Sequence, residues 1–338
     1  MVKLIKQIAL MGANSTAFEK SVELLEHTDG ERDNLLRVLT YHRVDEPNAH
    51  PWLDPGLISA SPETFEAQMK YLAANYEAVS VLDVLRAFES KSQYALPPRA
   101  VTVTFDDAYR DFAQYAWPIL KQYRIPATVF VPTAYPDHPE RLFWWDRIYN
   151  AIHTTEMGEL NTLLGSLPIS TATQREQVYK RLKNHLKRLP NEVAMKEVDQ
   201  ICNEVGGSPQ ANCVLGWDSL RKLASEGLTL GAHTQNHPIM NSITLEEMRN
   251  ETIGSRQDLH REIGSVPAVF AYPSGIHNND AVKTVEQAGF ALAFTTERGI
   301  NDVGHTHCLR LRRINVGKLT TIPILRAQLL SWTANLFP

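Results

Sequence analysis

The stretch Val101-Thr102-Val103-Thr104-Phe105-Asp106-Asp107-Ala108-Tyr109 decides how the rest of the chain is read. Its apolar and β-branched alternation predicts a buried strand. That strand ends in two adjacent carboxylates. In barrels and doubly wound sheets the carboxyl ends of strands carry the chemistry. Two neighbouring side chains leaving a strand end diverge, so one acid can bind a metal while the other faces a substrate as a base. The plain alternative is a pair of turn or helix-capping aspartates.

Outward from this strand, the chain alternates short β-rich runs with helical patterns. The predicted strands are Leu35–Tyr41, Ala100–Phe105, Ala127–Val131, Leu228–Ala232, Ala268–Ala271, Ala291–Phe294 and Leu309–Val316. Between several of them lie predicted helices at Pro62–Asn75, Val81–Glu89, Ala113–Tyr123, Thr244–Ile263 and Asn279–Ala288. Ser61-Pro62-Glu63 and Thr244-Leu245-Glu246-Glu247 are helix starts with acids in the first turn, and Gly289 is a stop. Such alternation implies a largely parallel sheet covered on both faces, and seven strands suggest a barrel.

The division expected is an N-terminal helical extension over 1–34, a barrel from 35–137 and 217–320, and a helical tail over 321–338. The rhythm breaks over 138–216, which is rich in Glu, Lys, Arg, Gln and Leu. There Phe143–Met157 and Thr173–Val205 predict an inserted helical subdomain or lid. In the extension, Leu4, Ile5, Ile8, Leu10 and Met11 form one apolar cluster, and Phe18, Val22, Leu24 and Leu25 another. Packing against the main domain is preferred to a partner contact.

A second run, Leu228-Thr-Leu-Gly-Ala-His233-Thr-Gln-Asn-His237-Pro238, again ends a strand in reactive groups. A helical turn after the strand would put His233 and His237, four apart, on one side. Two imidazoles and an Asp oxygen suit Zn²⁺ or a similar divalent ion and leave a position open for water, as in a catalytic site. A lone H-x-x-x-H is weak evidence, but beside an Asp pair at another strand end it is strong. A third run, Val266 to Gly275, leads into Tyr272-Pro273-Ser274-Gly275, a βα turn or a pocket wall with Tyr272 facing a sugar. His42, at the end of the first strand, either lines the same pocket or is structural. His305 and His307 precede the last strand; they could supply a general acid or be exposed loop residues.

Lys and Arg number 34 and Asp and Glu 38, a formal charge of −4. This argues against a general nucleic-acid binder. Cys202, Cys213 and Cys308 are odd in number and irregularly spaced, as incidental thiols in a reducing compartment would be. No stretch approaches a membrane span, and the apolar run at Ile8–Met11 is too short for a signal-peptide core. The expectation is a cytoplasmic protein without an integral membrane segment.

Together, Thr104-Phe105-Asp106-Asp107, His233-Thr234-x-x-His237 and Tyr272-Pro273-x-Gly275 resemble the first three motifs of the polysaccharide deacetylases, carbohydrate esterase family 4, whose core is the NodB-homology domain. The order matches, and the resemblance spans roughly 35–316. Tyr41-His42-Arg43-Val44 and Phe270-Ala271-Tyr272-Pro273 look most like the branch that deacetylates poly-N-acetylglucosamine. The resemblance implies a distorted (β/α)₇ barrel with a helical insertion. It makes Asp106 the base and Asp107, His233 and His237 the ligands of a divalent metal, zinc first, with Co, Mn or Ni as alternatives. The backbone N–H near Tyr109 becomes an oxyanion donor. His42, Tyr272, Pro273, Ser274 and Gly275 are then expected at the substrate, an acetylated oligo- or polysaccharide.

Three departures stand out. Ala108 replaces a usual Gly. Ala271 replaces an Arg that orients the base in many members. The late Leu-x-His motif that supplies the acid is absent, the matching region reading Leu309-Arg310-Leu311-Arg312. Two other readings stay open: a same-fold hydrolase of a non-carbohydrate amide, and a non-catalytic carbohydrate-binding homologue.

Overall fold

A computed structural model describes residues 16–28, 32–90, 94–206 and 213–331. Seven parallel strands close into a barrel: β1 (Leu35–Tyr41), β2 (Ala100–Asp106), β3 (Ala127–Val131), β4 (Thr229–Ala232), β5 (Val269–Ala271), β6 (Leu292–Arg298) and β7 (Leu311–Asn315). They neighbour one another in chain order. The ring shuts because β1 pairs with β2 on one side, Thr40 against Thr104, and with β7 on the other, Leu39 against Ile314. All seven predicted strands are present, with ends shifted by a few residues.

Alternation along β2 sets the faces. Phe105 stacks with Tyr41 and meets Phe65 of the surrounding helices. Asp106 therefore points the opposite way, into the barrel, beside Thr104, whose hydroxyl donates to the Leu39 carbonyl.

On the outside, α1 (Thr16–Thr28) lays Val22 inward, and its Glu26 accepts from Tyr71 and Arg326. Leu24 and Leu25 are exposed, so the second predicted apolar cluster is split; the first lies outside the described residues. Helices α2 (Pro62–Asn75) and α3 (Val81–Ser90) follow the expected spans. Ala113–Tyr123 is not one regular helix. A π-turn over Phe112–Ala116 precedes α4 (Trp117–Gln122), because Pro118 has no N–H for an ordinary i→i−4 bond.

The insertion carries α5 (Trp144–Thr154), α6 (Ala172–Leu186) and α7 (Asn191–Val205) around its own core of Ile148, Leu160, Leu182, Val198 and Ile201. Two expectations are corrected here. Thr173–Val205 is two helices, broken before Pro190, whose ring disfavours helical backbone at Leu189. An antiparallel hairpin, Glu159–Thr162 with Gly165–Pro168, stands where no strand was expected. Its residues lack the usual β-branched and aromatic signal, and its register is set by a turn closing at Gly165, φ 93°.

The barrel resumes with α8 (Trp217–Ser225), α9 (Leu245–Ile263) and α10 (Asn279–Gln287), and ends with α11 (Ile322–Leu329). Thr244 and Glu247 form the capping box of α9. Cys202, Cys213 and Cys308 are unpaired thiols. No described helix is long and apolar enough to cross a membrane.

Candidate active site

Asp107 leaves β2 in the left-handed region (φ 73°), and Ala108 continues there (φ 53°). Two successive non-glycine residues of this kind cost roughly 1–3 kcal/mol each and persist only where the surroundings fix them. The turn throws the Asp107 carboxylate across the barrel mouth towards β4. Its Oδ1 lies 3.5 Å from Nε2 of His233 and 3.3 Å from Nε2 of His237. All three side chains are buried.

The imidazoles converge without a helical turn, which corrects the expectation. Residues 233–239 are irregular, and Thr234 and His237 both have positive φ. The Thr234 hydroxyl accepts the His237 N–H at 3.0 Å and folds the segment back. Glu251 of α9 accepts the N–H groups of Gln235 and Asn236 and pins it.

Hydrogen bonds orient the groups of this cluster. His233 Nδ1 lies 2.7 Å from the Ala271 carbonyl, so Nδ1 carries a proton and Nε2 is turned towards Asp107. Burial lowers the His233 pKa, but Asp107 and Asp106 outweigh it and raise it. Asp107 Oδ1 is buried and has no hydrogen-bond partner. Burial drives the His237 pKa down to about 3, which leaves its ring neutral at neutral pH. Burial also raises Asp107, but His233 above all outweighs it and lowers its pKa. Two imidazole nitrogens and a carboxylate oxygen, buried and aimed at one point, fit a divalent cation. Among the described residues these three form the group able to hold one, their ligand atoms lying within 4.8 Å of one another.

Asp106 is held beside the cluster by Arg313, at 0% exposure. Nη1 donates to Oδ1 at 2.8 Å, Nη2 donates to Oδ2 at 2.7 Å, and Nε donates to the Thr295 carbonyl. Burial pushes the Asp106 carboxyl up, but Arg313, with His233 and His42, outweighs it and holds the group well below the usual carboxylate range. Arg313 thus performs the orienting task left vacant by Ala271. Arg313 lies inside the expected last strand, Leu309–Val316, without having been expected in this role. A signal existed: along β7, Arg313 shares a face with Leu311, a charge on an apolar strand face.

His42 follows β1, half-buried, and contributes to lowering the pKa of both aspartates. Tyr109 is buried and pairs with Val214. Ala108 accepts from Leu215 and Arg110 donates to Cys213, so Tyr109 is the position that makes no cross-strand bond. Its N–H is turned away from that segment.

Two expectations fail here. Tyr272 has no exposed surface; its ring lies against Phe270 and His277 and its hydroxyl donates to the Leu309 carbonyl. It cannot face a sugar. Pro273 and Gly275 are likewise buried, and Ser274 (φ 55°) is half-buried. The Tyr272-Pro273-Ser274-Gly275 turn supports the strand whose Ala271 carbonyl fixes His233. His305 and His307 lie in the loop entering β7, near the start of β1, at the barrel end opposite the aspartates. A strand enters at one end and leaves at the other, so neither histidine can reach the cluster.

A family model described as polysaccharide deacetylase matches residues 93–293, more than half of the sequence. The chain belongs to the polysaccharide deacetylase family. It is 23% identical over 270 residues to the Bacillus subtilis (strain 168) protein YxkH, covering 80% of this chain and 67% of that one. It is 30% identical over 115 residues to the Staphylococcus aureus (strain N315) poly-beta-1,6-N-acetyl-D-glucosamine N-deacetylase, covering 31% of this chain and 38% of that one. In fold, this deacetylase-family chain is similar to the Streptococcus pyogenes deacetylase PplD in complex with acetate. That match has a TM-score of 0.59 at 22% identity and covers 88% of this chain and 99% of that one. It is also similar to IcaB from Ammonifex degensii, with a TM-score of 0.57 at 19% identity, covering 88% and 97%.

Proposed function

We propose that this chain is a metal-dependent N-deacetylase that releases acetate from an oligo- or polysaccharide containing N-acetylglucosamine. The observation that carries the reading is the buried Asp107 Oδ1 facing Nε2 of both His233 and His237, with the ion-paired Asp106 beside it. The named activity of the staphylococcal relative supports the substrate class. A cleft of about 490 Å³ runs beside His237, walled by Trp144 and Arg147 of the insertion and by Tyr135 and Pro238 of the barrel, and offers room for a sugar ring.

Asp107, His233 and His237 would hold the cation, zinc by the character of the donors. When bound, such an ion polarises an amide carbonyl and lowers the pKa of a coordinated water. Asp106, kept ionised by Arg313, accepts the proton of the attacking water. The Tyr109 N–H donates to the oxyanion as the carbonyl carbon becomes tetrahedral. The leaving amine needs a proton, and His42, at the same mouth as the two aspartates, supplies it in place of His305 and His307.

Acetate release from acetylated glucosamine oligomers tests the reading. Asp106→Asn is expected to keep its metal and lose about 10²–10⁴-fold in kcat, the usual worth of a general base. His233→Ala loses both, and His42→Gln loses kcat alone. Full turnover in Asp106→Asn, or hydrolysis indifferent to a chelator, refutes it.

A further inference from the structure

The insertion reaches the reacting groups through four consecutive residues, Phe143 to Asp146. The Phe143 and Trp145 rings stack on each other at 4.5 Å, and both stand edge-on to His237, Trp145 at 4.9 Å. The Trp145 indole N–H donates to the Tyr109 hydroxyl at 3.0 Å. That hydroxyl donates in turn to Asp146 Oδ2 at 2.7 Å. The other Asp146 oxygen accepts the Asp54 N–H at 2.7 Å, and the Asp54 carboxylate accepts from Tyr179 and Lys183 of α6, both at 2.6 Å.

This cluster is sealed: Tyr109, Asp146, Asp54 and Tyr179 are all buried. A buried carboxylate is expensive unless its oxygens are satisfied, and both oxygens of Asp146 are. Its bond to Tyr109 falls two residues after Asp107, on the far side of the two left-handed residues. Backbone strain of that kind relaxes unless something pins the chain beyond it. The backbone bonds of Ala108 and Arg110 to residues 213–215 pin the main chain there, and the Tyr109 side chain between them, gripped by Asp146, adds a second hold.

We propose that Asp146 is a positioning residue for the deacetylation, acting through the Tyr109 hydroxyl. It holds the Asp107–Tyr109 turn so that the Asp107 carboxylate meets the two imidazoles and the Tyr109 N–H meets the oxyanion. The insertion is then a fixed part of the catalytic centre. The inference rests on the proposed deacetylase reading.

The test compares wild type, Asp146→Asn, Tyr109→Phe and the double variant in the full-length chain. Tyr109→Phe keeps the ring in place and removes only the hydroxyl, so it carries the test if Asp146→Asn fails to fold. The readouts are kcat and KM for acetate release from acetylated glucosamine oligomers, and amide hydrogen exchange across residues 107–110. Each single variant is expected to lose about 10–100-fold in kcat, the scale of an ångström-sized displacement, with KM within twofold. The double variant should be no worse than the singles, since one bond is removed either way. Exchange across 107–110 should accelerate in all three. Wild-type kcat in Tyr109→Phe, multiplying losses in the double variant, or unchanged exchange overturns the inference. If wild type itself releases no acetate, the deacetylase reading falls, and the exchange measurement alone decides the clamp.

Discussion

Replacing Arg313 by Met should disable the enzyme and weaken the fold together. The guanidinium is fully buried and spends two N–H donors on Asp106 and a third on the Thr295 carbonyl. Removing one partner of a buried ion pair leaves the other charge uncompensated, at a cost of about 3–5 kcal/mol. Unfolding entropy of ~2.1 cal/mol/K per residue over 338 residues makes each kcal/mol worth about 1.4 °C. The melting temperature should therefore fall by roughly 4–7 °C, read by calorimetry or circular dichroism. Without Arg313, the carboxyl also loses the charge that overcomes its burial, so its pKa rises and its orientation loosens. A misaimed base costs on the order of 10²-fold in kcat. Arg313→Lys, which keeps the charge but not the paired donors, should fall between the two. A Met variant that melts and turns over like wild type refutes both the ion pair and the choice of Asp106 as base.

Further outcomes follow from other parts of the molecule. The double variant His305→Gln/His307→Gln should keep wild-type kcat, and a tenfold loss would put the acid back in that loop. Gly275→Ala should cost at least about 2 kcal/mol, because its φ is 69° and a Cβ there would lie 2.0 Å from Thr296 Oγ1; unchanged denaturant midpoints would refute this. Asp146 is pushed up to about 7 by burial, against the pull of the Asp54 N–H, Tyr109 and Arg43. A raised carboxyl adds stability that is present below the ordinary carboxylate range and is lost as pH rises through about 7. Wild type should therefore lose ground to Asp146→Asn between pH 5 and pH 8 in paired melts, and a gap that does not change with pH would refute it.

What the sequence exposed and what it hid divide along physical lines. The barrel strands were legible because burial on both faces writes long β-rich runs, as in Ala127–Val131. The convergence of Asp107, His233 and His237 was legible because they sit at strand ends, where chain position already implies a shared mouth. Arg313 was hidden because its partner is 207 residues away and only barrel closure joins them. Tyr272 was misread because a strand end says which side chains leave the sheet and not whether they turn outward. The part played by Trp145 and Asp146 was also hidden, since their run reads simply as the start of an amphipathic helix.

The three donor atoms come from chain segments on either side of the whole insertion. No short peptide of this protein contains the set, so an ion cannot seed its structure as it does in a zinc finger, where ligands lie a few residues apart. Uptake of the proposed cation would have to await the pairing of β3 with β4, which closes a long loop and is slow for that reason. In refolding from denaturant, a chromophoric zinc chelator competing for the ion would then report the late assembly of the barrel.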